Sequence, residues 1–192
     1  KRIQTSALEK VFQEGLLLPA SVFAGDITGA TVEETGLGIV QGDSDRVCHP
    51  IPGTLSKSPW YKKSMAQVLM TMHEADGNPF FADPRQVLKR IIGQFRESGF
   101  TAVVAVELEF YLLDIRRDRQ KYPQPPISPV TGKRDKNTQV YSVDDLDDYG
   151  EFLDQVAKGA ESQGIPADTA LAEYAPGQFE INLKHEADPL SA

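Results

Sequence analysis

The chain has 192 residues, with 28 acidic against 20 basic side chains and a net charge of −8, and 40% of its residues are hydrophobic. This suits one large domain, or a small domain joined to part of another, and excludes a chain disordered throughout. The acidic balance argues against a nucleic-acid or anionic-membrane surface, but not against phosphate ligands, because bound metal ions reverse the local sign.

The opening "KRIQTSALEK" lacks the apolar core of a signal peptide, and no apolar run approaches the ~20 residues that span a bilayer. Residues 5–15, "TSALEKVFQEG", predict a short helix with Thr5 or Ser6 as cap, Glu9 at capping-box spacing and Gly15 as stop. From 20 to 76 short β-like runs alternate with glycine. "SVFAGDITG", "GLGIVQGD", "DRVCHPI" and "MAQVLMTMHE" predict a small sheet of four or five strands. Within it, Cys48 is the single cysteine, which excludes an internal disulfide framework and suits a reducing, cytoplasmic compartment. With no Cys-x-x-Cys, Cys48 and His49 are expected to be structural, as is His73, and Trp60 is expected to pack.

Asp83 as N-cap, Pro84 at the first helical position and Gly99 as stop define a helix, with Val87, Leu88, Ile91, Ile92 and Phe95 along one stripe. "TAVVAVELEFYLLD" (101–114) predicts a long, buried central strand. Residues 115–140 hold four prolines and predict a long surface loop. A second helix is expected from the Ser142 cap to Gly164; Asp144 and Asp145 sit at its positive end, and the aspartates there lack EF-hand spacing. The chain has no initiating Met and stops at "HEADPLSA" without an evident terminal element, so a piece of a longer protein is expected.

The chemistry lies in two acidic stretches. Glu107 and Glu109 in "VELEF" are two apart, so on a strand both carboxylates share a face. In "EYAPGQFE" (173–180) Glu173 and Glu180 flank Pro176-Gly177, and an even-length loop centred there sets them opposite each other. Like charges so placed repel, and a buried carboxylate without a partner is costly. The four glutamates fit one or two hard divalent cations, Mg²⁺ or Mn²⁺. The bland alternative is an exposed edge strand with solvated glutamates; the apolar flanks at 102–106 and 110–113 count against it.

"VELEFYLLD" resembles the glutamate-x-glutamate strand of the glutamine synthetase family, and "EYAPGQFEINL" resembles its second metal-binding hairpin. "NPFFADPRQVLKRI" is similar to the opening of that family's catalytic domain, and "GDSDRVCHPIPGTLSKSPW" to the acidic loop and Pro-Trp segment of its small N-terminal domain. "NTQVYSV" and the hairpin look closest to the branch that includes γ-glutamylpolyamine synthetases.

The resemblance implies an α+β fold: an N-terminal helix over 1–17, a β-grasp domain over 18–77, and over 78–192 the beginning of an antiparallel catalytic barrel with flanking helices. It implies ATP-dependent ligation of glutamate to an amine through a γ-glutamyl phosphate, by a homo-oligomer of stacked rings. Glu109, Glu173 and Glu180 are expected to hold the ion nearer the glutamate, and Glu107 the ion at the nucleotide phosphates. Asp45, and more loosely Asp26, match acids that meet the incoming amine in a neighbouring subunit, and His185 stands where relatives carry an aromatic beside adenine. The family's later elements, among them a metal-binding histidine and phosphate-binding arginines, are not in the sequence, so the isolated chain is expected to be inactive. Two alternatives are a truncated relative acting through assembly or metal binding, and another carboxylate–amine ligase such as a glutamate–cysteine ligase.

Overall fold

Asp83 shows how local sequence becomes packing. Its carboxylate accepts from Arg85 N at 2.8 Å, capping a helix that begins at Pro84, as its sequence predicts. The same carboxylate accepts from Met72 N at 2.7 Å and Thr71 Oγ1 at 3.0 Å, tying that helix to a strand.

The computed structural model describes residues 1–191. In chain order the elements are α1 (Leu8–Glu14), β1 (Leu16–Pro19), β2 (Asp45–Pro50), β3 (Ser56–Lys57), β4 (Ala66–Gln67), β5 (Met70–His73) and α2 (Pro84–Glu97). There follow β6 (Glu107–Tyr111), α3 (Val143–Asp148), α4 (Gly150–Gln163), β7 (Ala167–Ala172) and β8 (Gln178–Leu183). The chain forms two compact units, residues 1–56 with 66–101, and residues 57–65 with 102–192.

In the first unit β1, β2 and β5 make an antiparallel sheet in the order β1-β2-β5. Ala20, Cys48, Met72 and Phe80 form its core, and Phe80 stacks on Phe23 with ring centroids 6.0 Å apart. The strands differ in part from expectation. "SVFAGDITG" and "GLGIVQGD" give 3-10 turns at Ala20–Phe23 and Ile39–Gln41, and the first strand comes instead from the apolar run Leu16–Pro19. A 3-10 turn, Thr5–Ala7, precedes α1, whose N-cap is Ala7, so neither Thr5 nor Ser6 caps it. Of the apolar stripe on α2 only Ile92 is buried, while Leu88, Ile91 and Phe95 are exposed.

In the second unit β6, β8 and β7 make an antiparallel sheet in which β8 is central. The expected central strand over 101–114 is therefore a five-residue edge strand, with Leu108 and Tyr111 half exposed. Period-2 alternation in "QFEINL" gives β8 its two faces. Phe179 and Ile181 are buried, with Phe179 against Phe110 and Tyr149 at centroid distances of 6.1 and 5.3 Å.

The helix expected from 142 to 164 is broken. Ser142 Oγ accepts from Asp145 N at 3.2 Å and caps α3, but Tyr149 leaves helical geometry before α4 begins. Gly164, at φ +70°, ends α4 as the sequence predicts. Trp60 is 58% exposed rather than packed.

Candidate active-site face

The hairpin β7–β8 turns at Ala175–Gln178, where Gln178 N donates to Ala175 O at 2.9 Å around Pro176 and Gly177. Gly177 has φ +78°, the conformation that a Pro-Gly type II turn demands. A turn of that type does not match the twist of a two-residue hairpin. The ladder accordingly resumes only at Glu173, whose N–H donates to Gln178 O at 2.8 Å, leaving residues 174–177 as the loop.

The register thus corrects the expected opposition. Glu180 faces Leu171 on one side and Glu109 on the other, and Glu173 lies diagonal to it, across from Gln178. The displacement is an even number of residues, so the face is preserved; a one-residue slip would have turned the side chain over. Glu107, Glu109, Glu173 and Glu180 therefore share one face of the sheet, opposite the Phe179 core.

Glu180 is only 7% exposed. Burial pushes its carboxyl above the ordinary 4.5, and the charges of Glu107 and Glu173 push the same way, while a hydrogen bond from the Asn182 side chain opposes them. Glu109 is exposed and accepts from Gln178 Nε2 at 2.9 Å. Sequence reasoning passed over Gln178 and Asn182, although both sit two residues from Glu180 on its own face. The polar–apolar alternation of "QFEIN" was the available signal.

Hard oxygen donors on one face, one nearly buried, suit a divalent cation by chemistry. A further buried oxygen, Asn182 Oδ1, has no hydrogen-bond partner among the described residues. Yet among the described residues no three His, Cys, Asp or Glu side chains are gathered in positions to hold an ion together. Carboxylates on the face repel and spread.

The other expected site residues are exposed. Asp45 is exposed at the start of β2, across from Pro19. Asp26 is exposed and closes its own turn, accepting from Thr28 N and Oγ1, each at 2.7 Å, and from Ala30 N at 3.0 Å. Those bonds, the Thr28 hydroxyl foremost, hold its carboxyl below the usual range. His185 is exposed just past the end of β8. Cys48 is buried in the first unit's core, where burial and the nearby Asp83 charge raise its thiol, as befits a structural cysteine. A polar cavity of about 310 Å³ in the second unit is lined by Arg134, Asp135, Asp145, Asp148 and Tyr149 beside Pro176-Gly177. Arg134 also pairs with Asp114 at 2.5 Å, fastening the long loop to the end of β6. No helix among the described residues is long and apolar enough to cross a membrane.

Residues 81–192 match the family model described as the glutamine synthetase catalytic domain. The chain belongs to the glutamine synthetase family. Over all 192 residues it is 50% identical to γ-glutamylputrescine synthetase PuuA of Escherichia coli (strain K12), of which it covers 40%. It is 30% identical to the glutamate–isopropylamine ligase of a Pseudomonas species, over 96% of this chain and 39% of that one. With glutamine synthetase of Mycobacterium tuberculosis it shares 33% identity over 98% of its length and 38% of the relative's. The fold agrees with a solved glutamine synthase homolog at TM-score 0.73 and 19% identity, spanning 97% of this chain and 40% of that one. A GmaS/ADP complex gives TM-score 0.72 at 21% identity over 100% and 39%. The chain thus spans about two fifths of the length of these relatives.

Proposed function

We propose that the protein to which this chain belongs is an ATP-dependent ligase that joins the γ-carboxylate of glutamate to an amine, with a polyamine such as putrescine favoured over ammonia. The observation that carries this reading is the sheet face bearing Glu107, Glu109, Glu173 and Glu180, with Glu180 buried among like charges. A face that costs folding energy and serves no packing is suited to a cationic cofactor. The 50% identity to a γ-glutamylputrescine synthetase supports the amine class.

The chemistry proposed is attack of the glutamate γ-carboxylate on the γ-phosphorus of ATP, release of ADP, then displacement of phosphate from the acyl phosphate by the amine. Mg²⁺ or Mn²⁺, when bound, would neutralise phosphate oxygens and align the two anions. Glu109, Glu173 and Glu180 are assigned to the ion nearer glutamate, and Glu107 to the ion at the nucleotide. Gln178 orients Glu109 through its 2.9 Å hydrogen bond. Asp45 is the candidate acid for the amine, with Asp26 second, and His185 the candidate neighbour of adenine. The same proposal includes a β-grasp over 18–77, the start of a barrel over 78–192, and a cytoplasmic ring-shaped homo-oligomer.

The test is phosphate release by the full-length protein with ATP, Mg²⁺ and glutamate, across putrescine, isopropylamine and ammonia. Glutamate-dependent release fastest with putrescine is expected. No glutamate-dependent release with any amine overturns the reading, and release with ammonia alone overturns its polyamine arm.

A further inference from the structure

Asn182 is placed where an amide has no evident packing purpose. It is the residue directly across from Glu107 in the β6–β8 ladder, and it is two along from Glu180, so it stands on the carboxylate face. Its Nδ2 donates to Thr169 Oγ1 at 3.3 Å, across the other ladder, in which Thr169 and Asn182 are partners. The Asn182 side chain also bonds the Glu180 carboxylate, which as an anion only accepts, so the nitrogen end of the amide faces Glu180 and Oδ1 is left buried without a donor among the described residues. A buried acceptor left unmatched costs about 1–3 kcal/mol, so such an atom in a folded protein calls for a ligand, an ion or a water.

A neutral oxygen lying between carboxylates adds no repulsion, and it accepts a hydrogen bond that a carboxylate-coordinated ion can supply. Magnesium retains several water ligands, and each of those waters is a donor. We infer that Asn182 is a positioning residue of the cation site, its Oδ1 accepting from a water on the divalent ion held by Glu180, with Thr169 anchoring the amide. This rests on the proposed function, and it adds a residue outside the four glutamates. Partners one step removed from a metal commonly change its affinity by about 10- to 100-fold.

The experiment measures Mn²⁺ binding to the full-length protein by electron paramagnetic resonance, alongside the melting temperature without metal. Asn182→Leu is close in shape and removes the unmatched oxygen. The expected result is a Kd for Mn²⁺ raised by about tenfold or more, in a variant that the metal-free melting temperature shows to be folded, though lowered as Glu180 and Thr169 lose the Nδ2 donor. A residue with a merely structural role would lower the melting temperature and keep the parent's affinity, and that result overturns the inference. Should the leucine variant not fold, Asn182→Ala is read by the same affinity criterion. If the parent itself binds no Mn²⁺, the proposed function fails along with the inference; if the parent binds and the variants bind equally, the inference alone fails.

Discussion

Two buried carboxylates, Asp83 in the first unit and Glu180 in the second, are 4% and 7% exposed, and their surroundings treat them in opposite ways. Asp83 accepts from Arg85 N, Met72 N and Thr71 Oγ1, so its burial is matched by donors and its charge fastens α2 to β5. Glu180 faces Glu109 across the ladder and feels Glu107 and Glu173, with only the Asn182 amide in its favour. One acid stabilises the fold. The other is a strain that the fold carries, and strain of that kind concentrates where a ligand relieves it.

Substituting each acid separates the two roles, and the largest effect is expected at Glu180. Glu180→Gln in the full-length protein should lower glutamate-dependent phosphate release by at least about a hundredfold, because several kcal/mol of charge stabilisation goes with the cation. It should not lower the metal-free melting temperature. The pH dependence sharpens this. The folded-state pKa of Glu180 is raised, so its stabilising contribution is full below the ordinary value of 4.5 and is lost as pH rises through the raised value. Denaturant unfolding of the metal-free parent should therefore show stability falling across that interval, and Glu180→Gln should flatten the fall. An equal fall in both proteins would remove Glu180 from the comparison.

Asp83→Ala is expected to cost about 3 kcal/mol, combining a lost helix cap with unmatched buried donors. Urea unfolding measures it, and Asp83→Asn, which keeps an acceptor for the cap, should recover part of the loss. A neutral alanine variant would show that the three hydrogen bonds are incidental.

Gly177→Ala probes the turn that sets the register around Glu180 and should cost roughly 2 kcal/mol. Gly177 has φ +78°, and an added Cβ would lie 2.6 Å from Pro126 Cδ and 2.8 Å from Leu112 O, where ring and backbone cannot step aside. Thermal unfolding reads the loss, and weakened Mn²⁺ binding should accompany it as Glu173 moves relative to Glu180. Unchanged Mn²⁺ affinity in a folded variant would show that the diagonal placement is not needed.

Much of the local structure was legible because single residues decide it. Asp83-Pro84 starts α2, Ser142 caps α3, and Gly164 ends α4, each through a backbone group that one side chain or one φ angle settles. Each pair of glutamates was legible for the same reason, since a strand's period of two is a property of the chain. The acid pair 107/109 needed nothing else.

The tertiary structure decided what depends on partners. Residues 101–114 carry the composition of a central strand, but the centre of the sheet is β8, because pairing on both edges is a matter of neighbours rather than of propensity. At the break Tyr149 packs its ring on Phe179, a contact that no helical period announces. The sequence by itself determined that Glu107 and Glu109 share a face of one strand and that Glu173 and Glu180 share a face of one hairpin; the β6–β8 register put both pairs on the same side. Only the folded ladders decided the partners: the type II turn at Pro176-Gly177 moves the β7–β8 register by an even step, which keeps the face but sets Leu171 rather than Glu173 across from Glu180, while the β6–β8 pairing sets Glu109 across from it on the other side.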